Sequence, residues 1–443
     1  MSLVLFNPLG WPDLNMKFYT IESDSNYVAT IVKLPELQKV EGLDNLMLAN
    51  VFWYGCLVSK DSVKDVPYVF FPAETVLSPK FLYHNSLYRD SMKNQNEKIK
   101  WFFDDNWRVK AIKFKWVISS GFLIPALSLI EFTWSAESAN SLEIGTTFHN
   151  INGKEVCWKY RRPVAPDKLT KSQRMSKRLE KFDIVIPNQF RFHADTPQFL
   201  RFVSDFKHWD SIVITEKLHW TSAVFSNVLT KRKISLLERL SKYLWIHVRE
   251  TEYYHLYSSR SVIKNDNIDD ERNTGWGYYW EDLWWFHARM LEEKIEKWIT
   301  LYWEIVWYTE SWQWIQKWYH YGCKPCESKS YCYRITYTTA DGVVIEFTDS
   351  QIRQYCSLRS IEVVPLLQVL TINKESFERL TNVYPKIIEV MCSMNEWKVP
   401  REWVVIRRDG QETYSAYKLK SQLFLTHETK MIDTGWEDLE SNS

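Results

Sequence analysis

Residues 214–222 read Ile-Thr-Glu-Lys-Leu-His-Trp-Thr-Ser, and the fold turns on what precedes and follows them. Upstream, Ile212 to Thr215 is an apolar, β-branched run that reads as a strand. Downstream the pattern is mixed. Helical periodicity covers Ser235 to Val248 and Trp280 to Lys297, and Thr300 to Tyr308 is strand-like. A hairpin follows at Asp341-Gly342, then a helix near Lys374 to Met391 and a last hairpin at Asp409-Gly410. Strands joined by tight turns and flanked by helices indicate an α+β domain of antiparallel sheets. Lys217 then lies at the end of a strand, where it is either an ordinary surface lysine or a reactive amine.

Composition bears directly on Trp220. The 443-residue chain has 12 glycines and 23 tryptophans, whereas glycine alone ordinarily makes up about 7% of a protein. Together the two types number 35, close to the usual combined share. Trp107, after Asp105-Asn106, and Trp312, after Glu310-Ser311, sit in turn-like contexts that suit glycine. We read this as a gene in which UGA encodes glycine, translated here as tryptophan. The other reading is a naturally tryptophan-rich chain, and the codons at 220, 303 and 403 separate the two. With glycine at 220 the segment becomes Glu-Lys-Leu-His-Gly-Thr-Ser.

Hydrophobic residues make up 45% and charged residues 25%, an ordinary globular balance. The longest apolar stretch, Trp116 to Ile130, is too short and too interrupted by serines to span a bilayer, and the N-terminus lacks a signal pattern. The expectation is a soluble cytoplasmic protein. Seven cysteines over this length suggest reduced thiols. Cys323 and Cys326 with Cys332 have part of a zinc spacing but no evident fourth ligand. No Walker loop or Rossmann fingerprint is present.

A net charge of +1 leaves any preference for nucleic acid to local patches. Between Trp158 and Phe182, nine Lys or Arg residues face only Asp167 and Glu180, with two prolines, which reads as a basic linker. Residues 16 to about 150 read as short strands and turns. In Arg108 to Trp116 the apolar phase slips by one residue, which suggests a β-bulge. Arg108, Lys110, Lys113 and Lys115 would then lie largely on the polar side of a small β-barrel, either an OB-like nucleic-acid platform or a plain structural barrel.

Further segments give the 214–222 stretch its context. Read with glycine for tryptophan, Glu-Lys-Leu-His-Gly resembles the first motif of covalent nucleotidyltransferases, in the histidine form found among RNA ligases. Tyr257-Ser-Ser-Arg260 resembles motif Ia, and Leu301 to Trp307 resembles motif III, with Glu304. Tyr331 to Ile335 is similar to motif IIIa, with Tyr333 preferred to Tyr331 as the stacking ring. Val399 to Arg407 resembles motif IV, with Glu402, and Ala416-Tyr-Lys-Leu-Lys420 resembles motif V. The Asp409-Gly410 turn independently brings the Glu402 and Lys418 strands side by side. In a strand Lys418 and Lys420 share a face, so on a central strand they would repel unless an anion lay with them, whereas on an edge strand they would stand in water.

The resemblance extends over residues 16–436, to an ATP-dependent RNA ligase branch of bacteria, phages and protists with an N-terminal OB-like domain. It implies the following organisation: 1–15, a leader from a misassigned start; 16–157, an OB-like nucleic-acid-binding domain; 158–190, the basic linker; 191–436, an ATP-grasp-like adenylyltransferase domain; 437–443, an acidic tail. It further implies that Lys217 becomes adenylylated, with Lys418 and Lys420 as catalytic cations. Glu216, Lys217, Trp220 (as glycine), Ser222, Arg260, Glu304, Tyr333, Lys418 and Lys420 would meet ATP or AMP. Glu304 and Glu402 would hold Mg²⁺ or Mn²⁺, a hard cation suited to carboxylates and phosphates. A lysine near its ordinary pKa of about 10.4 is a poor nucleophile, and neighbouring cations would favour its neutral form. The implied reaction is RNA repair that joins 3′-hydroxyl and 5′-phosphate ends, on a nicked duplex, by a monomer. A DNA ligase, a capping guanylyltransferase and an inactive OB-containing nucleic-acid-binding protein are the alternatives.

Overall fold

The computed structural model describes residues 21–160 and 184–433, except 23–26, 53, 105–106, 195, 200–201, 203–204, 219–220, 261–262, 265–282, 308–318, 325–326, 374–389, 393 and 396–397. The His219-Trp220 pair, Trp312, Cys326, the body of the basic linker and the helix expected near Lys374 lie outside the described residues.

Two compact units divide the chain: residues 1–160 with Leu425–Thr434, and the rest. In the first, β1 (Ala29–Lys33), β2 (Pro67–Pro72), β3 (Gly121–Pro125) and β4 (Thr147–Phe148) form an antiparallel sheet in the order β3-β2-β1-β4. Phe71, Phe81, Phe122 and Phe132 lead its core. A three-stranded sheet over residues 37–59 and a hairpin over 112–119 stand as further sheets. Among the described residues no sheet closes on itself, so the expected barrel is not seen there; the unit is built of separate short-stranded antiparallel sheets.

The Arg108 segment departs from the expected single bulged strand. Val109 and Ala111 are buried, but Ile112 and Phe114 stand exposed in the 112–119 hairpin. Lys115 turns that hairpin at φ 52°.

The second unit holds two antiparallel sheets. One runs β11-β5-β12-β13, from β5 (Ser211–Lys217), β11 (Leu366–Thr371), β12 (Trp403–Asp409) and β13 (Ala416–Lys420). The other runs β7-β6-β8-β9-β10, from β6 (Thr221–Lys231), β7 (Thr251–Ser258), β8 (Ile299–Trp307), β9 (Ser328–Thr338) and β10 (Val344–Glu346). Leu301, Ile305, Ile335 and Phe225 on the second sheet share one core with Leu283, Ala288 and Leu291 of helix α2 (Leu283–Leu291). Helix α1 (Leu236–Tyr243) opens on a Ser235/Glu238 capping box, and α3 (Asp349–Ser357) on a Thr348/Gln351 box. Helix α4 (Gln422–Asp433) ends the described chain. Among the described residues no helix is long and apolar enough to cross a membrane.

Five tryptophans take left-handed backbone conformations: Trp107, Trp134, Trp209, Trp245 and Trp298, with φ between 54° and 77°. Trp245 follows the C-cap of α1. Its N–H donates to the Lys242 carbonyl (3.1 Å) and the Ile246 N–H donates to the Ser241 carbonyl (3.0 Å). This is the Schellman pattern, whose left-handed position is usually glycine. Trp209 and Trp298 are third residues of turns closed by Asp210 N–H to Lys207 O and by Ile299 N–H to Glu296 O. A positive φ at that position alone defines type II, again a glycine position.

Candidate active site

Strand β5 ends at Lys217 and β12 begins at Trp403. The register pairs Lys217 with Trp403, and Trp403 with Lys420. Residues directly opposite in a sheet share a face, as do residues two apart on one strand, so Lys217, Trp403, Lys418 and Lys420 project to one side. Their Nζ atoms converge on the Trp403 ring, at 5.5 Å for Lys217, 4.7 Å for Lys418 and 4.9 Å for Lys420. Lys418 and Lys420 are 9% and 4% exposed. The chain turns back through residues 410–415, with Gly410 at φ 73°, and lays the two strands side by side as expected, in a register set by that six-residue connection. Strand β13 is an edge of its sheet rather than central, yet its lysines do not stand in water. The Lys418 N–H donates to the Pro197 carbonyl at 2.8 Å, so residues 197–198 cover that edge.

A carboxylate-bearing group occupies the start of the other sheet. Ser222 pairs across β6–β8 with Glu304, and its Oγ donates to Glu304 Oε1 at 3.0 Å. The register of β8 against β9 shifts between Tyr302 and Trp303, leaving Tyr333 as the extra residue of a bulge. Bulges re-aim side chains. Tyr331 is buried in the apolar core, whereas Tyr333 is half-buried and its hydroxyl lies 2.5 Å from His193 Nδ1. Burial, then the Glu304 carboxylate, pushes the Tyr333 phenol well above its ordinary pKa, so it stays a neutral hydroxyl. Arg260 follows the last β7 pair, Val224 with Ser258, by two residues, which is the level of Ser222.

Other expected residues are placed differently. Glu216 lies on the opposite face of β5 from Lys217 by strand alternation. It is 2% exposed and pairs with Arg401 at 3.4 Å, which gives it a structural partner distinct from the lysine face. Glu402 is buried and precedes β12, its carbonyl accepting from Ser421 N–H at 3.1 Å. Among the described residues no group of three or more His, Cys, Asp or Glu gathers for a metal. Two buried carboxylates, Glu304 and Glu402, suit a hard cation that shares its remaining ligands with phosphate oxygens. Cys323 is buried, and burial raises its thiol. It gathers no zinc set among the described residues.

The four cations expected on one nucleic-acid face separate. Arg108 is 3% exposed, bonded to Glu74 Oε2 at 3.1 Å and Asp433 Oδ1 at 2.5 Å, so it belongs to the interior. Lys110 pairs with Asp433 at 3.0 Å. Lys113 and Lys115 are exposed on the 112–119 hairpin, and Lys115 donates to the Gly42 carbonyl. Reading the sequence missed His193 and Arg401, both brought in from loops. It also missed that Trp403, the first residue of β12, lies among the lysines.

Neither known family models nor curated proteins match this chain. Solved structures do. The Naegleria gruberi RNA ligase with PPi matches with a TM-score of 0.53 at 15% identity, over 91% of this chain and 99% of that one. A mutant of that ligase with AMP and Mn gives 0.53 at 14% identity, over 90% and 98%. Another with ATP and Mn gives 0.51 at 14%, over 93% and 99%. The chain has an RNA ligase fold. At this identity the likeness concerns architecture, and it spans both units of this ligase-fold chain.

Proposed function

We propose that this chain is an ATP-dependent RNA ligase whose Lys217 amine carries AMP. The observation that supports it most is the convergence of Lys217, Lys418 and Lys420, from two strands, on one buried spot within 5.5 Å of a single ring centre. Three amines held together in a mostly buried site favour a polyanion. Structures of the Naegleria gruberi ligase that shares the fold hold PPi, and those of its mutants hold AMP with Mn or ATP with Mn.

In this reading the neutral Lys217 amine attacks the α-phosphorus of ATP, a phosphoramide bond forms and pyrophosphate leaves. Lys418 and Lys420 neutralise charge that builds on the phosphates. Tyr333 offers a ring face to the base, Ser222 orients Glu304, and Arg260 meets the ribose and phosphates. Glu304 and Glu402 would hold Mg²⁺ or Mn²⁺, which supplies further charge neutralisation at the phosphates. The AMP then passes to an RNA 5′-phosphate. A neighbouring 3′-hydroxyl attacks that activated end and AMP leaves, sealing a nick.

Incubation with ATP labelled in the α-phosphate tests this. We expect a covalent label on the chain carrying glycine at 220 and 403, at least about 10³-fold less label after Lys217→Ala, and no label from GTP. Undiminished label in the Lys217→Ala protein excludes the proposed nucleophile. The Trp403 side chain within the lysine group favours a second reading for the chain as written, a ligase fold that takes up no nucleotide.

A further inference from the structure

The three lysines surround an indole, and an indole is not what their charges call for. Each cation gains modestly from a ring, but three ammonium groups within 5.5 Å of one ring centre also repel one another. A phosphate in the same place would attract all three at once and accept hydrogen bonds from them. Trp403 is itself 8% exposed, and its indole N–H is buried with no hydrogen-bond partner among the described residues. An unmet buried donor of that kind is destabilising, and buried tryptophans ordinarily satisfy it. The Nε1 of Trp303 is in the same condition.

The backbone tells a parallel story elsewhere in the chain. Five tryptophans occupy left-handed positions, three of them in a Schellman cap or type II turns, and these are settings whose geometry asks for a residue without Cβ. The Trp403 position differs in kind. There the side chain, not the φ angle, is at odds with its surroundings. Both observations have one cause if tryptophan stands where glycine belongs.

We propose that the Trp403 indole fills the seat of a nucleotide's phosphates, and that glycine at 403 turns the three-lysine cluster into a polyphosphate-binding site. The inference rests on the nucleotidyltransferase reading above for the identity of the polyanion. It adds the residue that opens or closes the site. Glycine at 403 removes the whole indole, which is larger than a phosphate group, while the strand pairing to Lys217 and Lys420 is made by backbone and survives. Phenylalanine would keep the seat filled.

The test uses the full chain with the five left-handed tryptophans, Trp220 and Trp303 replaced by glycine, and compares Trp, Gly, Ser and Phe at position 403. Labelled ATP with Mn²⁺ is the probe, read both by equilibrium binding and by covalent label that survives denaturation. Circular dichroism verifies folding, and Trp403→Ser carries the comparison should Trp403→Gly fail to fold. We expect Trp403→Gly or Trp403→Ser to bind ATP at least tenfold more tightly than the tryptophan protein, with Trp403→Phe no better than tryptophan. Equal affinity across the four overturns the inference, and it does so while leaving the ligase reading intact if all four take the label. Tighter binding in the small variants without any covalent label supports the filled seat and overturns the ligase reading instead. No ATP bound by any folded variant overturns both.

Discussion

Arg108 carries its charge at 3% exposure between Glu74 and Asp433. Removing one member of a buried charged group leaves the others desolvated, which costs about 3–5 kcal/mol. Arg108→Ala should therefore lower the unfolding free energy of the first unit by that amount in urea titrations. Lys113→Ala, on the exposed hairpin, should change it by no more than about 0.5 kcal/mol. Matching losses for both would mean that Arg108 is not the interior anchor described. The contrast shows what single residues reveal before folding. Lys217, Lys418 and Lys420 were legible because each lies in a short segment that carries its own motif, and strand alternation puts Lys418 and Lys420 on one face. Arg108 was not, because its two carboxylate partners lie 34 and 325 residues away, and a run of alternating lysines looks the same whether or not such partners exist.

Elements follow the same rule of locality. The hairpins at Asp341-Gly342 and Asp409-Gly410 formed where the turn chemistry placed them, with φ of 85° and 73° at the glycines. Strands β5 and β8 came out within two residues of their expected ends. Helix α3 went unread, though Thr348 and Gln351 spell out a capping box. The N-terminal strands were visible one by one, but whether they close into a barrel depends on pairing between distant segments that periodicity does not record. Caps and turns also carry a stability prediction. A residue with a Cβ in the left-handed region costs roughly 1–2 kcal/mol. Trp245→Gly and Trp209→Gly, at exposed positions, should each raise the unfolding free energy by about 1 kcal/mol, and Trp298→Gly, which also loses ring contacts with Tyr253 and Tyr337, should raise it by less. Trp158→Gly, in a strand with ordinary φ, should lower it. Thermal melts of the four variants suffice, and destabilisation by all three cap and turn replacements would contradict the backbone argument.

At the scale of the whole molecule, mild acid should lower stability. His287 is 3% exposed against Trp303, and burial drives its imidazole down from 6.5 to about 4. His255 and His427 are lowered as well, again chiefly by burial. A histidine whose folded pKa is depressed binds its proton more readily in the unfolded chain. Stability from this source is therefore complete above pH 6.5 and declines as pH falls toward 4. For His287 the full effect is on the order of 3 kcal/mol. Melting temperature should fall between pH 7 and pH 5, and His287→Gln should flatten that slope. An unchanged slope would place the acid sensitivity elsewhere.

The first compact unit is assembled from both ends of the chain. Asp433 and Thr429 of α4 reach Arg108 and Glu74, and residues from Leu425 onward count with residues 1–160. A ribosome delivers these partners at opposite ends of synthesis. The segment that emerges first can collapse early, but its buried guanidinium must wait through more than three hundred further residues for its second carboxylate. Premature termination anywhere before Leu425 should thus release a polypeptide whose opening segment is also incomplete, and a cell's quality-control proteases would meet it as one defective object instead of a sound N-terminal piece with a missing tail.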